Sequence, residues 1–163
     1  MRCAVLFVSA LLSLAASSFG LTSAHAAGSG LEYRLKTESG VPFAFDHAEE
    51  QFFSPTPFMT AADFTSARAR PSANPNTPGG WEVVLTHTAV GRVKLHAVAD
   101  ADRSREYCLV FHGTLYQCLA FPPVMKGVYD RDLSFGGSLS QAQAETLAAA
   151  MARDIRAARG KTP

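Results

Sequence analysis

Leu31-Glu-Tyr-Arg-Leu-Lys-Thr alternates apolar and polar residues, the period-two signature of a half-buried strand. Ser39-Gly40-Val41-Pro42 breaks the alternation, and an aromatic-rich segment follows with Phe43, Phe45, Phe52 and Phe53. A second short strand is expected near Phe52-Phe53, ended by Pro55 and Pro57. Thr60-Ala-Ala-Asp63 places an N-cap hydroxyl three residues before a carboxylate, which predicts a helix of one or two turns. Ala67-Arg-Ala-Arg-Pro71 returns to extended structure, and the Pro-, Asn- and Gly-rich stretch from Pro71 to Gly80 is a loop. Trp81-Glu-Val-Val-Leu-Thr predicts a central strand. Thr86 or Thr88 caps a helix running to about Ala101, with Val90, Val93, Ala97 and Val98 on one face. Arg105 to Phe111 and Thr114 to Ala120 form a hairpin around His112-Gly113, and Pro122-Pro123 leads its second arm to a sheet edge or out of the sheet. Val128 to Phe135 is the last strand, stopping at Gly136-Gly137. Ser140 caps the final helix, with Gln143 completing a capping box and Leu139 placed as a staple. Ala144, Leu147, Ala148, Met151 and Ile155 line its apolar face; Arg153, Arg156 and Arg159 suit its C-terminal dipole, and Gly160 stops it. This order predicts an α+β fold, a two-layer sandwich with a mostly antiparallel sheet and two main helices on one face.

The N-terminus changes the picture of where the chain acts. Arg2, the uncharged apolar run Ala4 to Ala16 and the small-x-small site Ala24-His25-Ala26 predict a cleaved signal peptide over residues 1–26, hence a periplasmic chain with no stable membrane anchor after cleavage. The apolar run is short for a membrane span. An uncleaved anchor is the alternative. Residues 27–163 then form one domain. Losing Arg2 leaves acids and bases balanced, and no basic stripe of the kind that binds nucleic acid is present.

Cleavage also removes Cys3 and leaves Cys108 and Cys118, an even pair that suggests a disulfide in an exported protein. Parity decides whether they meet. A two-residue His112-Gly113 loop offsets them onto opposite faces, whereas a three-residue loop or a bulge at Gly113 aligns them. Two buried thiols are the alternative. A redox-active pair is disfavoured, because there is no C-x-x-C and no helix N-terminus beside either cysteine.

Catalytic chemistry is poorly represented. His47, His87, His96 and His112 show no metal-ligand spacing, so neither a metal nor a cofactor is expected. Asp100 with Asp102, and Asp130 with Asp132, fit solvated faces better than an acid–base pair. Ser134 and Ser138 lack the G-x-S-x-G pattern. Gly136-Gly137 before a helix could bind an anion, but a tight turn explains the pair equally. Phe43, Phe45, Phe52, Phe53, Phe58 and Phe64 form either an apolar peptide groove or, the favoured reading, a lid over the core.

Several short motifs resemble the periplasmic head domain of the protein-export subunit SecD. They are Pro57-Phe-Met-Thr60-Ala-Ala-Asp63-Phe64, the strand Val83-Val-Leu-Thr with the segment after Gly91, the hairpin Leu109-Val-Phe-His-Gly113, the turn Phe121-Pro-Pro-Val, and the helix entry Phe135-Gly-Gly-Ser-Leu139-Ser140-Gln-Ala. His112 stands where the head usually has aspartate, and Cys108 and Cys118 are additions. The resemblance implies a free-standing, soluble relative of the SecD head. It further implies a non-enzymatic role in binding a polypeptide or an envelope protein partner, linked to protein export. Phe52, Phe53, Phe58, His112 and Gly113 are the expected contact residues. The alternatives are a small periplasmic enzyme using His and Asp residues, and a disulfide-stabilised structural envelope protein.

Overall fold

The computed structural model describes residues 30–43, 50–102, 104–121 and 132–160. The predicted signal segment, Phe45, His47, Pro122-Pro123 and Asp130 lie outside them. Strand β1 is Leu31–Thr37, β2 Val41–Phe43, β3 Gln51–Phe53 and β4 Met59–Thr60. A 3-10 turn at Ala61–Asp63 leads into β5, Phe64–Pro71, and β6, Trp81–His87. Helix α1 is Ala89–Ala101, β7 Glu106–Phe111, β8 Thr114–Ala120, β9 Leu133–Leu139 and α2 Gln141–Arg159. The fold is an α+β sandwich in which, among the described residues, every strand pairing is antiparallel.

Two hydrogen-bonded ladders take the place of the single expected sheet. The first runs β2-β3-β1-β7-β8, with β4 also on β1; the second runs β5-β6-β9. One core spans both. Tyr33, Leu109 and Phe111 from the first ladder meet Phe64, Val83 and Leu85 from the second, and α1 and α2 add Leu95, Ala99, Ala148, Met151 and Ile155. A fully buried side chain of this kind is worth roughly 1.5–3 kcal/mol over its exposed state. Both helices therefore pack into the core that the two ladders share. Tyr33 sits among aromatic rings, edge-on to Phe64 and to Tyr107 at 5.5 Å each.

The opposite face of β1 and β7 carries a smaller core of its own: Phe43, Phe53, Cys108, Val110 and Leu115. Period-two alternation sends Tyr33 to the main core and Arg34 to this side. Arg34 is buried against Glu32 at 2.7 Å and donates to the carbonyls of Ser54 and Pro55 at 2.7 and 2.6 Å. It so pins the segment after β3 onto β1. The expected break at Val41-Pro42 is confined to residues 38–40. Val41 and Pro42 instead form β2, at the end of the ladder, where proline's missing N–H costs nothing.

The predicted face of α1 is corrected. Val90 and Val93 are 62% and 68% exposed, and Ala97 is exposed too, while Gly91, Leu95 and Ala99 are buried. The helix presses its backbone onto the 3-10 turn at Gly91, where an added Cβ would lie 2.3 Å from the Asp63 carbonyl oxygen. A hydrophobic pattern cannot register a glycine, so the stripe at 91, 95 and 99 is invisible to it. Thr88 rather than Thr86 is the N-cap, its side chain accepting from the Gly91 N–H at 2.9 Å. The Asp63 carboxylate accepts from the Thr60 N–H at 2.9 Å and pairs with Lys94 at 2.8 Å, which ties the turn to the helix.

The last strand does not stop at the glycines. β9 continues through Gly136 and Gly137, at φ 100° and 53°, to Leu139. Trp81 faces Leu139 while Val83 faces Phe135, so β9 holds a bulge there that only glycine accepts without strain. Ser140 and Gln143 close the predicted capping box at the start of α2.

Candidate functional site

The hairpin β7–β8 turns on two residues, His112 at φ 48° and Gly113 at φ 79°, the left-handed pair of a type I′ turn. Such a loop would misalign the cysteines. The ladder corrects this further down: Val110 faces Leu115 but Leu109 faces Gln117, leaving Tyr116 as an extra residue. The bulge thus sits at Tyr116 rather than Gly113, and Cys108 stands directly opposite Cys118, joined to it by a disulfide.

Beyond the bulge, β8 is the end strand of its ladder, and β9 is the end strand of the other. The two ends face each other, with the Tyr116 and Phe135 rings 5.9 Å apart. Between Tyr116 on one side and Leu139, Ala142, Leu147 and Ala150 on the other lies an apolar cavity of about 570 Å³. A polar cavity of about 390 Å³ adjoins it across Tyr116, lined by Asn74, Glu82, Gln117, Ser134 and Gly136. The Gln117 Oε1 atom is buried there with no hydrogen-bond partner. Burial also raises the Tyr116 hydroxyl above its usual pKa. The site therefore sets the end strand β8, an apolar trough and, among the described residues, an unpaired acceptor side by side.

Four of the expected contact residues are exposed or half-buried, and they lie in different places. His112 is exposed at the hairpin tip, its Nε2 3.0 Å from the Asp154 carboxylate of α2. Asp154 is one helical turn past Ala150, so this contact and Gly113 stand along the trough's own helix. Phe52 is 40% exposed in the other half of the ladder. Phe58 is half-buried and stacked 6.1 Å from Tyr33 in the main core. Phe53 is 0% exposed and packs edge-on to Phe43, within the smaller core. Phe43 and Phe64 are buried likewise, so the aromatic cluster is largely a lid. Tyr116, Leu139 and Leu147 were the residues missed as a surface. Leu139 and Leu147 already stood out as staple and helix face, but nothing local said that β8 and β9 would meet.

The histidines do not assemble. His87 is buried beside Phe64 and Tyr33, and burial lowers its pKa, with Arg92 adding to the shift and Asp132 and Asp63 opposing it. Neither cavity is lined by a histidine. Among the described residues no group of three or more His, Cys, Asp or Glu side chains could hold a metal ion. Asp132 pairs with Arg68 at 2.9 Å. At the N-terminus of α2 the capping box takes up the Ser140 and Gln143 N–H groups.

Comparison with known proteins adds one fact about this architecture. The fold matches a crystal structure of SecDF in its super-membrane-facing form, with a TM-score of 0.58 and 20% identity over 74% of this chain. The chain has a SecD-like head-domain fold. A second SecDF structure, described as that of a membrane component that enhances protein export, matches with a TM-score of 0.56 and 22% identity over 77% of this chain. The chain spans 18% of the first protein and 61% of the second. No family model and no curated protein matches it in sequence. Among the described residues no helix is long and apolar enough to cross a membrane.

Proposed function

We propose that this SecD-like domain is a non-enzymatic binding module that holds an extended polypeptide in the periplasm, in the service of protein export. The observation that carries the reading is the end strand β8 lying beside the apolar trough. An end strand offers backbone N–H and C=O groups to an extended chain of any sequence. The trough between Tyr116, Leu139 and Leu147 takes apolar side chains without demanding one shape. The buried Gln117 acceptor, which has no partner among the described residues, suits an incoming amide. That combination favours affinity with little sequence preference, as an export accessory needs. His112 and Gly113 stand at one end of the trough; Phe52 and Phe58 do not border it. The fold likeness supports the export setting, and the predicted signal peptide supports the periplasm.

The test places a photo-crosslinking residue at Ala142, at His112 and, as a control, at Val93 on the exposed face of α1. Each protein is offered a reduced, carboxymethylated and therefore unfolded polypeptide. Crosslinks at Ala142 and His112 but not at Val93 are expected. Equal labelling at all three positions, or no binding, would overturn the proposal.

A further inference from the structure

We infer that the Cys108–Cys118 disulfide holds the β7–β8 hairpin in its bulged register, and that reduction releases β8 to the regular one. The consequence for polypeptide binding rests on the function proposed above; the register change does not.

The type I′ turn at His112-Gly113 favours an unbroken ladder, because its twist matches that of the strands. Continued regularly from Phe111 opposite Thr114, that ladder would set Leu109 against Tyr116 and Cys108 against Gln117. The observed ladder sets Leu109 against Gln117 and Cys108 against Cys118. One residue has been inserted, and every side chain from 117 to 120 has changed face. In the observed register Leu119 packs on the main core and Cys118 on the smaller one. In the regular register Cys118 and Ala120 would face the main core and Leu119 the other side. Each alternative puts apolar side chains on the core face, so Cys118-Leu119-Ala120 does not choose between them. The bulge moreover leaves the Gln117 Oε1 atom buried without a partner. In the regular register Gln117 would stand opposite Cys108 instead, on the face of the smaller core. What the regular register cannot accommodate is the covalent bond, which requires 108 opposite 118.

Reduction is a thiol–disulfide exchange with a dithiol of the oxidoreductase class. Its thiolate attacks the half-buried Cys118 sulfur rather than the enclosed Cys108 sulfur. The S–S bond breaks and Cys108 leaves as a thiolate that takes up a proton. The reductant's second thiol then displaces Cys118 as a thiol and closes the reductant's own disulfide. Two electrons and two protons pass to the hairpin. β8 then slides past the bulge, Gln117 leaves the polar cavity, and the edge beside the trough is re-lined.

The test compares oxidised and dithiothreitol-reduced full-length protein by cross-strand NMR contacts. In the oxidised protein residue 108 contacts 118; on reduction a contact between 108 and 117 should replace it while the rest of the spectrum holds. A second protein lacking Gln117 removes the inserted residue, so its disulfide closes within a regular ladder and reduction should leave its register unchanged. Retention of the 108–118 pairing in reduced wild type, or loss of all amide dispersion, overturns the inference. So does an equal shift in the deletion protein. Crosslinking from Ala142 to the unfolded polypeptide, before and after reduction, reads the consequence. If the oxidised protein fails to bind, the proposed function falls and the register result still stands by itself.

Discussion

Replacing Gly91 with alanine should destabilise the fold, although alanine is the better helix former. In an open helix interior the change gains about 1 kcal/mol. Here the new Cβ would lie 2.3 Å from the Asp63 carbonyl oxygen and 3.2 Å from the Asp63 Cβ. Carbon–oxygen contacts settle near ~3.3 Å, so the 3-10 turn must retreat by roughly 1 Å. That stretches the Thr88 N–H to Asp63 carbonyl hydrogen bond from 2.8 Å out of bonding range. Overpacking costs about 1–3 kcal/mol and the lost bond about 1–3 kcal/mol. Less the propensity gain, the net loss is about 3 kcal/mol. In a domain of this size it lowers Tm by about 10 °C. Thermal and urea unfolding followed by circular dichroism measure it, with Ala97→Gly on the exposed face as the comparison, expected to lose only about 1 kcal/mol. A Tm for Gly91→Ala at or above wild type would refute the backbone contact between α1 and the turn.

Other outcomes follow from the same packing. Phe53→Ser should cost about 3–5 kcal/mol by emptying the smaller core, whereas Phe52→Ser at its exposed neighbour should stay within about 0.5 kcal/mol; equal urea midpoints for the two would contradict their assigned burial. The pKa of His87 is depressed in the folded state, mainly by burial, so below about pH 6.5 the unfolded chain binds the proton more readily. Stability should therefore be fully present above that pH and decline as pH falls below it. His87→Phe should flatten that part of the urea-midpoint profile, and an unchanged profile would remove His87 as the cause. Ser140→Ala deletes one half of the capping box and should cost about 1 kcal/mol; no loss in the urea midpoint would mean that the box is redundant for α2.

The chain's own pattern determined the elements whose signal is local. Alternation at 31–37 made β1, and the apolar run within 81–86 made β6. The hydroxyl and amide of Ser140 and Gln143 began α2, and its apolar stripe at 144, 148, 151 and 155 is the stripe that is buried. These signals depend on neighbours a few residues apart, and local geometry suffices to read them. The tertiary structure decided what depends on partners distant in sequence. Gly91 is buried because Asp63 lies against it, not because of anything in its own helix. Gly136-Gly137 forms a bulge because β6 continues past it, where the sequence suggested an end. Two cysteines ten residues apart met because the ladder took up an extra residue at Tyr116, and parity alone only required that it do so somewhere. The trough appeared only when β8 of one ladder and β9 of the other were brought edge to edge. A strand's hydrophobic pattern records which face is buried, but its edges carry backbone groups that are the same in every sequence, so the pattern cannot say which edge stays open.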